Sequence, residues 1–191
     1  MIMKFTQIFT ILIFFTVNSI TGQYKFEKER RVKPHEVPSE AIDFVSKVKF
    51  KKKIKWYLEE SQDGKTFEAK VYFKKRKHSI EFNHLGSVLD VEIETKFSKI
   101  EKETQNKINS TLEKRFRKFK IRKIQLQYKG KEEDLMNCIK KECSLKPNYE
   151  IVLKGKTDSS YKLYELLVDY AGERILKELK FSQDNFDNLQ F

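Results

Sequence analysis

The residues able to do chemistry in this sequence are few and scattered. Its three histidines are His35, in a charged stretch near the N-terminus, and His78 and His84, which flank one strand-like segment. Six residues of extended strand span roughly 20 Å, so the latter two do not make a pair, and all three read as solvent-facing linker or turn residues. Cys138 and Cys143 are the two cysteines. With no histidine nearby they fall short of the four ligands that zinc takes. Positions five apart on one helix point about 140° from each other, so a disulfide between them requires the helix to end or bend within the interval. HExxH, GxSxG and glycine-rich phosphate loops do not occur. Asp and Glu alternate with Lys on strand-like faces, the pattern of solvated ion pairs. From these features we expect no catalytic centre, no metal site and no cofactor.

The basic clusters are the stronger candidates for a contact surface. Lys49 with Lys51, Lys52, Lys53 and Lys55 forms one group, Lys74, Lys75, Arg76 and Lys77 a second, and Arg115, Arg117, Lys118, Lys120, Arg122 and Lys123 a third. Brought together they would suit an anionic polymer or lipid headgroups; spread out they are an ordinary solvated surface. Trp56 shares strand parity with Ile54 and Leu58 and belongs to a core, whereas Tyr57 faces the other way, beside the lysines, and joins the candidate contact surface.

Two features set the context for these groups. The chain has 191 residues with 40 Lys and Arg against 28 Asp and Glu, a formal charge of +12. Residues 1–22, with Lys4 ahead of an apolar run and small or polar residues from Ser19 to Gly22, have the layout of a secretory signal peptide. The expected product is exported to the periplasm or beyond, starts near Gln23, has no transmembrane segment and carries a net +11. Export turns attention from nucleic acid, for which no recognition motif is present, to a protein or peptide partner in the cell envelope or an anionic envelope polymer. It also places both cysteines where disulfides persist.

The elements that must position these residues follow from periodicity. Residues 23–36 are charged and aperiodic and read as a linker. Pro38 opens an amphipathic helix with Ala41, Phe44, Val45 and Val48 on one face. Strand-like alternation then follows around residues 54–58, 67–73, 80–82 and 89–93. Ser98 and Glu101 have capping-box spacing ahead of a helical stretch reaching about Lys118. A second strand series begins at Ile124, with a parity break between Ile121 and Ile124 that marks either a bulge or the true start of the strand. The turn FNHLGSVLDVE at 82–92 matches VDYAGERILKE at 168–178, which points to an internal repeat. The expected fold class is α+β: two tandem repeats, each a helical segment packed on an antiparallel sheet of about four strands. The first repeat spans 37–96 and the second 97–181, the latter with a cysteine-containing insertion at 129–148 read as a long exposed loop. Residues 182–191 read as a flexible tail.

The signal peptide, the Val37-Pro38 helix start, the strands KIKWYLE and FEAKVYF, and the aromatic-Asn/Asp-x-x-Gly turn in SIEFNHLGSVLDVE, echoed by LLVDYAGERILKE, together resemble the PepSY-like, or beta-lactamase-inhibitor-like, exported proteins of Bacteroidetes-type bacteria. The likeness runs in order over about 37–181. It implies two tandem helix-plus-sheet units without a catalytic centre and leans toward a protein-binding role; no inhibitory loop is matched residue by residue. The Phe97-Ser98-Lys99 helix start and the cysteine insertion depart from the pattern. The expectation that results is an exported, non-catalytic binding or regulatory module that contacts a protein or peptide through a sheet face or loop.

Overall fold

The computed structural model describes residues 23–140, 142–158 and 160–181; the expected signal peptide and the expected tail lie outside them. Ten strands and three helices follow in chain order. The strands are β1 (Gln23–Lys25), β2 (Glu27–Val32), β3 (Lys55–Ser61), β4 (Gly64–Phe73), β5 (Arg76–Phe82), β6 (Val88–Thr95), β7 (Lys118–Tyr128), β8 (Asn148–Lys156), β9 (Tyr161–Val168) and β10 (Ile175–Phe181). The helices are α1 (Ser39–Val48), between β2 and β3, α2 (Lys102–Arg115), between β6 and β7, and α3 (Glu132–Lys140), between β7 and β8.

All ten strands belong to one sheet, in the order β1-β10-β9-β8-β7-β6-β5-β4-β3-β2. This overturns the expectation of two repeats on separate four-stranded sheets. The join lies at the middle of the chain, where β6 pairs with β7 from Val91 opposite Tyr128 to Thr95 opposite Ile124. A mostly antiparallel sheet of this width curls under its own twist, and here it nearly closes into a barrel. The closing piece is the segment read as a linker. Residues 23–25 run parallel to β10, and after Phe26 the same stretch pairs antiparallel with β3, so both sheet edges are consecutive lengths of one N-terminal segment. Its polar, aperiodic sequence concealed this, because β1 and β2 carry ladder hydrogen bonds while burying little apolar surface.

The three helices lie on the outer face, over two apolar clusters. Ala41, Phe44, Val45 and Val48 of α1 meet Trp56, Ala69, Ile80, Phe82, Val91 and Ile93. The Phe82 ring packs edge-on to Phe44, with centroids 5.6 Å apart, and lies 5.8 Å from Trp56. Ile108 and Leu112 of α2, with Phe116, meet Ile124, Ile151, Leu153, Tyr164, Leu166 and Val168. The helix α2 starts later than its capping-box spacing suggests. Residues Phe97–Lys99 form a 3-10 turn, and Glu101 takes the cap position without a side-chain cap bond.

The insertion at 129–148 is not an exposed loop. Leu135 lies about one helical turn before Cys138 and Ile139 on α3, and all three are buried in the α1 cluster, so an element from the second half completes the core of the first. The helix ends at Lys140, between the cysteines, and the Cys138 and Cys143 sulfurs are bonded to each other. Of the two readings of the parity break, a bulge is the one present, since β7 starts at Lys118 and its register slips between Ile121 and Lys123.

The sequence echo corresponds to a local likeness of two turns. Asn83 Oδ1 accepts from the Leu85 and Ser87 amides, and Asp169 Oδ1 from the Glu173 and Arg174 amides. Gly86 and Gly172 both take positive φ, and each presses on a helix. A Cβ at Gly86 would lie 2.9 Å from Pro38 and Glu40 side-chain carbons, and one at Gly172 2.9 Å from Ile108. Matching turns of this kind serve strand-to-strand corners within a single sheet; they do not divide it into two units.

Candidate functional site

Alternation along each strand sends apolar side chains outward, under the helices, and polar ones inward. The inward positions are therefore not the solvated faces that the sequence suggested. They line a cavity of 1220 Å³ inside the curled sheet, walled by Glu59, Glu68, Asp90, Glu92, Glu150 and Glu165 among others. Burial of so many carboxyl groups has a clear electrostatic signature. Desolvation, reinforced by Glu27, Glu68 and Glu81, pushes Glu59 up to about 9. Desolvation also lifts Asp90 to about 7, with Glu81 adding to the effect and Lys129 opposing it. Glu165 is raised to about 7 by burial and by Glu150. Glu92 lies well above the ordinary carboxyl range because it is buried, faces Glu150 and Asp90, and hydrogen-bonds to Glu150.

The chain supplies some cations to this interior itself. Lys25 of β1 pairs with Glu27 and, at 2.6 Å, with Glu165. Burial works against its charge, but Glu165 and Glu27 outweigh that and hold it protonated. Lys70 lies 2.9 Å from Glu68, also pairs with Glu29 of β2, and sits 4.8 Å from the Tyr57 ring centroid. Lys129 reaches to 3.7 Å from Asp90. Two glutamines of β7 complete the wall. Gln125 Nε2 donates to Glu92 at 2.7 Å, and Gln127 Nε2 donates to Asp90 at 3.1 Å.

The candidate contact residues separate into two groups. Tyr57, Lys52, Lys53, Lys55 and Lys77 line the cavity together with Tyr72, at the end where β3 begins and β4 finishes. Lys52 lies over the Tyr72 ring at 4.9 Å. Lys51, Lys74, Lys75 and Arg76 are not in the cavity wall. Lys74 and Lys75 form the β4–β5 turn with positive φ, and Lys74 Nζ donates to the Lys140 carbonyl at the end of α3. The third basic cluster is divided as well, because Arg115 makes a bidentate pair with buried Glu178 at 2.7 and 2.8 Å. The basic clusters thus do not merge into one positive face.

Of the histidines, His35 and His84 are exposed, whereas His78 is buried on the outer face. Its Nδ1 is 3.1 Å from the Arg76 carbonyl and its ring lies against Phe73. It shares strand parity with Ile80 and Phe82, a signal the expectation of a solvent-facing turn residue passed over. The inward acids and the two glutamines were missed too. The available signal was the run Asp90, Glu92, Glu94 opposite Gln125 and Gln127, polar positions in central strands where glutamines rather than lysines lie directly opposite Glu92 and Glu94 on β7. Among the described residues no group of three or more His, Cys, Asp or Glu is arranged to hold a metal ion, and no helix is long and apolar enough to cross a membrane.

No protein-family model matches the chain, and no curated protein matches it. Similar folds occur among solved structures. A DUF2874 family protein from Bacteroides ovatus ATCC 8483 superposes with a TM-score of 0.52 at 14% identity, over 75% of this chain and 87% of that one. A BLIP-like protein from Bacteroides fragilis NCTC 9343 gives a TM-score of 0.49 at 14% identity, over 81% of this chain and 92% of that one. At this identity the likeness to the first is one of fold. The PepSY label gains no support from either.

Proposed function

We propose that this chain is an exported, non-catalytic binding module that takes a protein or peptide segment at the mouth of the barrel. The observation that carries the reading is the rim formed by Tyr57 and Tyr72 with Lys52, Lys53, Lys55 and Lys77 around an uncovered inner sheet face. Tyrosines offer broad, stiff, amphipathic contact area of the kind that anchors protein interfaces, and Tyr72 is 47% exposed. The flanking lysines would act on association rate more than on final affinity. Export rests on residues 1–22 and agrees with the paired cysteines. The anionic-polymer reading has less support, since the rim lysines surround an acid-lined interior and the basic clusters do not merge into one face.

The test is affinity capture from the cell-envelope fraction at low and at physiological salt, with the unaltered chain and with a Tyr57→Ala, Tyr72→Ala variant. One stoichiometric partner, retained at both salt concentrations and lost with the tyrosines, is the expected result. Capture that vanishes with salt and ignores the tyrosines would instead indicate an electrostatic binder.

A further inference from the structure

The cavity wall is balanced from within the chain only in part. Lys25, Lys70 and Lys129 form ion pairs with Glu165, Glu68 and Asp90 in turn. Glu92 and Glu150 have no ion pair to a base among the described residues, and they lie against each other. Beside them stand Gln125 and Gln127, 95% and 92% buried. Each spends its amide N–H on a carboxylate, which leaves Gln125 Oε1 and Gln127 Oε1 buried without a donor. Unsatisfied buried acceptors are rare in folded proteins and costly. Here two of them lie on one strand, next to a pair of carboxyl groups without a cation, in the wall of a cavity large enough for a ligand.

Two unmet acceptors beside a pair of carboxyl groups suit a ligand head that presents donors and positive charge. The carboxylates are not grouped as metal ligands. An ammonium or guanidinium head fits, because it carries three to five N–H donors and no acceptor. The rim tyrosines already take ammonium groups on their faces from Lys70 and Lys52, so the way in is also suited to a cation. We infer that Gln125, Gln127, Glu92 and Glu150 form a pocket for the cationic head of a lysine or arginine side chain on the bound peptide. The inference rests on the peptide-binding reading above and names the chemistry of its specificity.

The experiment is a titration of the purified chain followed through the side-chain amide resonances of Gln125 and Gln127. The probes are blocked Ala-Lys-Ala and Ala-Arg-Ala peptides, the norleucine peptide as a neutral isostere, free cadaverine and calcium chloride. Saturable shifts of both amides with the lysine or arginine peptide, and none with norleucine, are expected. A Gln125→Leu, Gln127→Leu variant should weaken that binding by about tenfold or more, the scale of lost hydrogen bonds to a charged group. Glu92→Gln, which keeps the shape, should weaken it as well. Absence of shifts with every cationic probe at millimolar concentration overturns the inference, as does calcium binding that displaces the peptides. Cadaverine shifts without peptide shifts would keep a cation pocket and overturn the peptide as its source. An envelope partner captured equally well by the glutamine variant would leave the binding module standing and the pocket refuted.

Discussion

The Lys25 ammonium lies 2.6 Å from the Glu165 carboxylate, reaching from β1 across β10 to β9. It is a tie at the seam of the barrel, and Glu27 on the other side of Phe26 shares it. Both side chains are largely covered, at 14% and 16% exposure. Replacing Lys25 by Met leaves two acids in the interior without their cation, and a broken buried pair costs about 3 kcal/mol. Urea unfolding should show that loss, and Lys25→Met combined with Glu165→Leu should recover part of it. Equal stability of Lys25→Met and the unaltered chain would mean the seam does not depend on this tie.

The raised interior acids give stability a definite pH profile. In the unfolded chain these carboxyls titrate near their ordinary values of 3.8 to 4.5, whereas folded Asp90 and Glu165 titrate at about 7 and Glu59 at about 9. Between those limits the folded state binds more protons than the unfolded one, so stability falls as pH rises. Asp63, bonded to Lys177, and Asp169, whose partial burial is outweighed by the Glu173 and Arg174 amides, are shifted down. Their contribution is present above the ordinary carboxyl range and disappears only as pH drops below it. Thermal unfolding should therefore peak near pH 5 and decline steadily toward pH 9. A melting temperature that climbs between pH 5 and 8 would contradict a protonated interior.

The twin turns predict twin costs. Gly86 and Gly172 combine positive φ of 89° and 77° with contacts that a Cβ would violate. Gly86→Ala and Gly172→Ala should each destabilise by about 1–3 kcal/mol, from backbone conformation and crowding together. The two sites touch different helices, so the double variant should lose the sum. Thr111 adds a check on the second turn, since its hydroxyl donates to the Gly172 carbonyl at 2.8 Å. Thr111→Val should lower the melting temperature while leaving the cost of Gly86→Ala unchanged.

Local structure was readable in the sequence wherever one physical signal dominated. Alternating apolar residues located β3 to β6 and the start of a second strand series, Pro38 located the start of α1, and the parity break before Ile124 marked the irregularity in β7. What the alternation could not say is whether its polar side faces water or a closed interior, because Glu92 and Gln125 look the same in either setting. That choice depends on β1 and β2, whose role is to close an edge by backbone pairing, and ladder hydrogen bonds leave little trace in composition. The candidate site was half legible for the same reason. Tyr57 and Lys52 stood out by type, whereas Gln125, Gln127 and Glu150 became a site only once closure buried them.

The helix α3 provides the last test, since it separates a core element from a stapled loop. Leu135 and Ile139 are fully buried, and Cys138 lies between them in the same cluster. The disulfide closes a short loop of five-residue separation, for which the chain-entropy model gives about 2 kcal/mol. Leu135→Ala removes buried methyl groups from a packed core, at a cost of about 3 kcal/mol. Replacing both cysteines by serine should thus lower stability modestly and increase protease cleavage near the end of α3. Leu135→Ala should lower global stability more than the double cysteine variant does. The reverse order would mean that the staple, rather than the apolar face of α3, holds this segment against α1 and β6.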